Sequence, residues 1–171
     1  MLFRSGGVFS AWRPDAEGVL RLDPSGVVKG WADERAARHL RVLPDTDSCL
    51  SAGGDLTCHV ADPASAPWGI GVEDPADPRR LLARIPVRSG AVATSGATHR
   101  GAHVVDARTG RTPQLLASVT VVAASLTDAD IDATTAFALD GDAVTWLGLR
   151  PCVALVVWRD GRTETVTGRP Y

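Results

Sequence analysis

Ala93-Thr94-Ser95-Gly96, followed by His103-Val104-Val105-Asp106-Ala107-Arg108-Thr109-Gly110, is the stretch on which the reading of this chain turns. It sets a histidine, an arginine, a carboxylate and several hydroxyls between two apolar runs, residues 90–93 and 118–123. Polar groups that dense beside core strands have to be satisfied by one another or by a ligand. Two readings stand at this point: a polar loop that hydrogen-bonds its own backbone, or part of a binding site.

Upstream lies Leu22-Asp23-Pro24-Ser25-Gly26-Val27-Val28-Lys29-Gly30-Trp31. Lys29 is the single lysine among 18 basic residues, and asparagine is absent. A lysine is a compact point charge suited to a phosphate, and arginine does not replace it freely. The alternative is one solvated lysine on a helix surface. Downstream, Asp130 and Thr134 stand four apart in a helical segment and so share a face. A carboxylate and a hydroxyl one turn apart are hard oxygen ligands suited to magnesium. The alternative is a surface helix with an acidic first turn.

Around these blocks the chain reads as α+β without repeats. The spacing of Val28, Ala32, Ala36, Leu40 and Leu43 predicts a helix over 25–43, capped by Ser25. Residues 48–60 read as strand, turn, strand around Gly53-Gly54-Asp55, and 67–72 as a further strand. Residues 79–84 are expected to form a helical turn before Pro86. The β-branched run 118–123 is a strand with Val119 and Val121 on one face. A helix over 128–139 follows, with Thr127 as its cap and Gly141 as a left-handed stop. Residues 153–158 and 163–167 form a closing hairpin. Residues 62–67 are a loop, too short to be a linker.

Composition bounds the rest. A chain of 171 residues fits one domain that buries about 70% of its unfolded surface. With 44% apolar and 22% charged residues it has the make-up of a globular protein. A net charge of −2 and arginines scattered among acids argue against an electrostatic grip on nucleic acid or anionic membrane. Cys49, Cys58 and Cys152 lack CxxC spacing and fit reduced thiols, not a disulfide framework or a zinc site. No stretch has the apolar length of a transmembrane helix, and the first residues lack a signal-peptide core. A cytoplasmic location is therefore expected. P-loop, GxGxxG, HExxH and GxSxG motifs are all absent.

In this order the blocks resemble the FAD:protein FMN transferases, the ApbE family. The family pattern is Asp-x-[Gly/Ser]-Gly-[Ile/Val]-x-Lys-Gly, then Gly-Gly-[Asp/Glu], Thr-Ser-Gly, His-x-x-Asp-Pro-Arg-Thr-Gly and Ala-Asp-x-x-[Ala/Ser]-Thr. Residues 23–30, 53–55, 94–96, 103–110 and 129–134 match it in turn. The resemblance implies an ApbE-like, T-fold-related α+β domain over 1–171, with a mixed or antiparallel sheet and packed helices. It also implies an Mg2+-dependent enzyme that cleaves FAD, attaches FMN to a Thr or Ser of a target flavoprotein and releases AMP. Asp130 and Thr134 match metal-binding residues, and Gly26 the position whose carbonyl joins them. Asp23 and Lys29 match residues that contact FAD. Val104 matches an aliphatic residue packed on the flavin nucleotide, and Thr94 and Ser95 the Thr-Ser-Gly element of that pocket. His103 matches the proposed general base, which with Asp130 makes the catalytic pair. Pyrophosphate cleavage calls for charge neutralisation on phosphoryl oxygens, and an alcohol nucleophile calls for a base near neutral pH.

Two departures stand out. Ala107 replaces the family proline, which softens that turn without removing a functional group. Ser10, in Gly7-Val8-Phe9-Ser10-Ala11, stands where the family has an aspartate. Family members commonly carry a longer N-terminal portion holding a further piece of the FAD pocket. Three functions therefore remain open: the transferase, a metal-dependent FAD pyrophosphatase, and a non-catalytic flavin-nucleotide-binding subunit. A homodimer or a partner chain that completes the pocket is expected.

Overall fold

A computed structural model describes residues 4–97 and 104–169. Its centre is a six-stranded, wholly antiparallel sheet in the order β10-β9-β8-β7-β4-β3. The strands are β3 (Ser48–Ala52), β4 (Asp55–His59), β7 (Ser89–Gly96), β8 (Leu116–Ala123), β9 (Val153–Trp158) and β10 (Thr163–Thr167). Two further pairs stand outside it: β1 (Trp12–Pro14) with β2 (Leu20–Leu22), and β5 (Trp68–Asp74) with β6 (Asp77–Val87).

Strand alternation divides the core between the two faces of the sheet. Ala91, Ala93, Val119, Val121, Ala154 and Val156 point to the face covered by helix α2 (Leu126–Leu139). Val92 and Cys58 point to the other face, where Val87, Ile70 and Ile85 of the β5–β6 pair meet them. The centre of the sheet is covered on both sides, so β7 and β8 read as near-continuous apolar runs. The short helix α3 (Ala143–Leu147) closes the far end of the first core.

The expected strands, loop and closing hairpin are all present, with one exception. Residues 79–84 lie within strand β6, not in a helical turn. Pairing with β5 over Trp68↔Val87 to Asp74↔Asp77 imposes the extended backbone there, and tertiary pairing overrides local preference.

Both long helices depart in detail from expectation. Helix α1 runs Ser25–Leu40 and stops three residues early. Its cap is Pro24, whose carbonyl accepts from Val27 N (2.9 Å) and Val28 N (3.1 Å). The predicted apolar row is not the buried one: Val28 is 47% and Leu43 48% exposed. Gly30 and Ala37 are buried instead, with Asp33 and Glu34 half-buried beside them. Glu34 accepts from Thr127 N (3.1 Å) and Thr127 Oγ1 (2.5 Å). Small and polar residues thus face α2 because the helices approach closely and exchange hydrogen bonds there. Burial pushes the Glu34 carboxyl up, but the bonds from Thr127 and the Arg38 guanidinium together outweigh it and hold the group below its usual value.

Thr127, so engaged, does not cap α2. Ser125 does, its hydroxyl accepting from Asp128 N at 3.1 Å. The left-handed stop is Asp140 (φ 53°), not Gly141. A non-glycine residue is held there because its carboxylate accepts from Gln114 N, Leu115 N and Leu116 N at 2.9, 2.8 and 3.1 Å.

Candidate active site

The sheet, the two helices and the β5–β6 pair leave a cleft of about 1120 Å³ beside the C-terminal end of β7. Most of the residues singled out from the sequence converge on it. Gly26 and Lys29 come from the first turns of α1, Thr94 and Ser95 from the end of β7, and Asp130 and Thr134 from one face of α2. Val104 lines it too and is buried in the adjoining core. Asp23 is not among the lining residues. It lies between β2 and α1, its backbone N–H donating to Ala11 O at 2.6 Å. His103, the expected general base, and His99 lie outside the described residues.

Successive residues of β7 serve opposite faces. Ser95 follows Ala91 and Ala93 towards α2, where its hydroxyl bonds Thr134 Oγ1 at 3.0 Å. Thr94 follows Val92 to the other face, where its hydroxyl bonds Thr120 Oγ1 at 2.9 Å. Thr94 and Ser95 therefore do not lie in a loop: they continue a core strand to the rim of the cleft, where Thr94 is exposed and Ser95 half-buried, and bond to partners across the sheet and on α2.

Lys29 is not a solvated helix lysine. Its ammonium pairs with Asp55, which is only 3% exposed. The other carboxylate oxygen of Asp55 accepts from Thr94 N at 3.1 Å. One buried carboxylate thus ties α1, the β3–β4 hairpin and β7 together at the wall of the cleft. Gly53 and Gly54 take φ of 58° and 90°, the left-handed pair of a tight two-residue hairpin loop, and so deliver Asp55 there. Asp55 was visible in the sequence only as the third residue of a turn. The signal that could have singled it out is a carboxylate directly after a Gly-Gly turn, in a chain with one lysine.

The donors offered to a metal fit magnesium. A Cβ built on Gly30 would stand 2.8 Å from Asp130 Oδ2, so the carboxylate of Asp130 rests against the first turns of α1. A helical carbonyl points to the residue four ahead, which directs Gly26 O to that same place. Thr134 presents its hydroxyl one turn along from Asp130. A carboxylate, a hydroxyl and a carbonyl are hard oxygen donors, the set that magnesium takes together with water and phosphate. Among the described residues no three His, Cys, Asp or Glu side chains group as a metal site.

Residues 107–110 form a tight turn closed by an Asp106–Arg111 bridge. Asp106 is buried and accepts from Arg108 Nε (3.0 Å), Arg108 Nη2 (2.7 Å) and Arg108 N (2.9 Å). The guanidinium beside it holds its carboxyl below the usual carboxylate value. Ala107 does more than soften this turn. Its N–H donates to Val8 O at 2.9 Å, a bond that the family proline, having no N–H, could not make. Phe9, from that same segment, packs where a Cβ on Gly26 would stand 2.7 Å from its ring. Ser10 lines the cleft beside it, its hydroxyl turned back to the Trp12 backbone at 3.1 Å.

This arrangement is an α+β domain whose cleft gathers an ammonium, a carboxylate and two hydroxyls where two helices meet the end of a sheet. The ApbE family profile matches residues 10–155, and the chain belongs to that family. It is 29% identical over 121 residues to the FAD:protein FMN transferase of Salmonella typhimurium, covering 65% of this chain and 35% of that protein. The FAD:protein FMN transferase of Escherichia coli K12 matches at the same identity, with 34% of its length covered. The chain thus spans about a third of the length of these curated relatives. Among solved structures, the ApbE protein of Thermotoga maritima superposes with a TM-score of 0.76 at 26% identity, covering 96% of this chain and 60% of that one. The flavinyl transferase ApbE of Pseudomonas stutzeri superposes at 0.72 with 23% identity, covering 93% and 54%, and shows the shared fold.

Proposed function

We propose that this chain carries the FAD-cleaving centre of a flavin transferase, which moves FMN from FAD to a Thr or Ser hydroxyl of a target flavoprotein and releases AMP. The observation that carries the reading is the convergence of Gly26, Lys29, Asp130 and Thr134 on one cleft, in a chain of the ApbE family. The cleft is large enough for a ligand of dinucleotide size.

Lys29, steered by Asp55, supplies a fixed positive charge to the pyrophosphate. Val104 offers the flavin nucleotide an apolar wall, and Thr94 and Ser95 set the shape of the pocket end. Asp130, Thr134 and the Gly26 carbonyl would hold Mg2+, which when bound neutralises charge on phosphoryl oxygens. The acceptor hydroxyl attacks the phosphorus on the FMN side. A bond forms between that oxygen and phosphorus, the bond to the AMP phosphate breaks, and His103 takes the hydroxyl proton. AMP leaves with the electron pair. Free thiols at Cys49, Cys58 and Cys152 suit a reducing compartment such as the cytoplasm. Among the described residues no helix is long and apolar enough to cross a membrane.

The test is incubation of the chain with FAD, Mg2+ and a threonine-containing acceptor peptide, read by mass spectrometry. The expected products are FMN-bearing peptide and AMP in equal amounts, both lost in Asp130→Ala and in chelator. AMP and free FMN without labelled peptide would make the chain a pyrophosphatase. Bound FAD with neither product would make it a non-catalytic binding subunit. Full turnover in Asp130→Ala would place the centre elsewhere.

A further inference from the structure

The β3–β4 hairpin brings together two cysteines that the proposed reaction does not use. The two-residue loop makes Ala52 and Asp55 the closing hydrogen-bonded pair. Pairs alternate outward from it, so Cys49 and Cys58 face each other as a non-hydrogen-bonded pair. Such pairs have the shorter Cα separation, about 4.5 Å, which lies within the range of about 4.4–6.8 Å that a disulfide spans. The two Sγ atoms stand 3.1 Å apart, and both thiols are free. Cys58 is buried between Val87 and Val92, whereas Cys49 is half-buried and reaches solvent. Cys152 belongs to the core on the opposite face of the sheet.

We propose that Cys49 and Cys58 are an oxidative modification site, a cross-strand dithiol that low-molecular-weight disulfides convert to a protein disulfide. The Cys49 thiolate attacks one sulfur of the small disulfide. The small S–S bond breaks, one thiolate leaves, and Cys49 carries a mixed disulfide. Cys58 then attacks the Cys49 sulfur, its proton passing to the second departing thiol. Two protein thiols are oxidised to one disulfide, and one small disulfide is reduced to two thiols.

Burial and the neighbouring Cys49 push the Cys58 thiol up to about 12, so it stays protonated until the mixed disulfide forms beside it. Closure needs no strand movement, because the register already sets the two Cβ atoms opposite one another. The new bond lies three residue pairs from the tip where Gly53, Gly54 and Asp55 line the cleft. Oxidation therefore pins the register of the hairpin that carries Asp55.

The experiment treats the native full chain with oxidised glutathione, quenches in acid, alkylates in denaturant and maps peptides by mass spectrometry. The expected result is a chain lighter by two hydrogens, a link between Cys49 and Cys58, and Cys152 still alkylated. Cys58→Ser is expected to keep glutathione on Cys49 as a stable adduct, and Cys49→Ser to slow thiol loss at Cys58 by about tenfold or more. The oxidised chain is expected to melt about 5 °C higher, since a short loop is closed in the unfolded state. A persistent glutathione adduct in the wild-type chain, a link to Cys152, thiol loss only after unfolding, or a lower melting midpoint would each overturn the proposal.

Discussion

Replacing Asp55 asks whether one buried carboxylate assembles the wall of the cleft. In Asp55→Ala the Thr94 N–H loses its acceptor at 3.1 Å. The bond is part-buried, and such a donor left unmade costs about 1–2 kcal/mol. Lys29 loses its partner as well, but its side chain is 28% exposed and can turn to water, so that loss is about 1 kcal/mol or less. The sum is about 1–3 kcal/mol of stability. Lys29→Ala strands the other member: Asp55 stays buried with only the Thr94 N–H to hold it, at a cost of about 2–3 kcal/mol. If the two side chains act through each other, the double variant should be less destabilised than the sum of the singles. The coupling expected for a contacting, part-buried ion pair is about 1–3 kcal/mol. Urea unfolding followed by far-UV circular dichroism on all four chains measures it. The same four proteins should rank alike in FAD affinity by calorimetry, because Lys29 without Asp55 keeps its charge but not its place. A coupling below about 0.5 kcal/mol, or an Asp55→Ala variant as stable as wild type, would refute the reasoning and return Lys29 to a solvated helix position.

Two further outcomes are expected. Gly30→Ala places a methyl 2.8 Å from Asp130 Oδ2, so it should displace that carboxylate and cut metal-dependent FAD turnover by about tenfold or more. Its unfolding midpoint should stay close to wild type, and unchanged turnover would show that the carboxylate tolerates a shift. Asp106→Asn should lose about 1–2 kcal/mol at neutral pH through its weakened hold on Arg108. Because the folded-state carboxyl sits below its value of 3.8, that stability is present above 3.8 and fades as pH falls through the lower folded value. Denaturation at about pH 7 and about pH 3 should therefore show the gap between variant and wild type narrowing in acid. A gap of constant size would assign the effect to the neutral hydrogen bonds alone.

The sheet was legible from the sequence because its strands carry strong local signals. The Gly-Gly turn fixed β3–β4, the Asp160-Gly161 turn fixed β9–β10, and the β-branched run fixed β8. The α1 register was not, since a row of apolar side chains predicts the buried face only when the partner surface is apolar. Here the partner is a helix that comes close at Gly30 and receives Glu34 as an acceptor, so the apolar row at Val28, Ala32 and Ala36 faces outward. Residues 79–84 misled for the same reason, because only pairing with a distant strand makes them extended. Within the site, Lys29, Asp130 and Thr134 were legible as residues that suit phosphate and magnesium. Asp55 was not, because its role depends on a contact with Lys29 across 26 residues of chain.

Helix α2 shows how carboxylates in one sequence run are given separate work. Asp128 and Asp132 lie one turn apart, and Arg4 reaches both, at 2.5 and 2.8 Å. Asp132 is fully buried and also meets Arg150 at 3.5 Å. A carboxylate so enclosed is tolerable only when paired, and with two guanidinium groups its charge is spent inside the fold. Asp130 falls about 200° away from Asp132 around the helix axis, against Gly30 and into the cleft. There it stands beside Gly30 at the start of α1 and one turn from Thr134. The same periodicity that sends Asp132 to its arginines places Asp130 among the residues that line the cleft. Exchanging the two roles would require turning α2, which would drive Ala129, Ala133 and Ala136 out of the sheet interface. The packing of the helix and the direction of its one cleft-facing carboxylate are in this sense the same constraint.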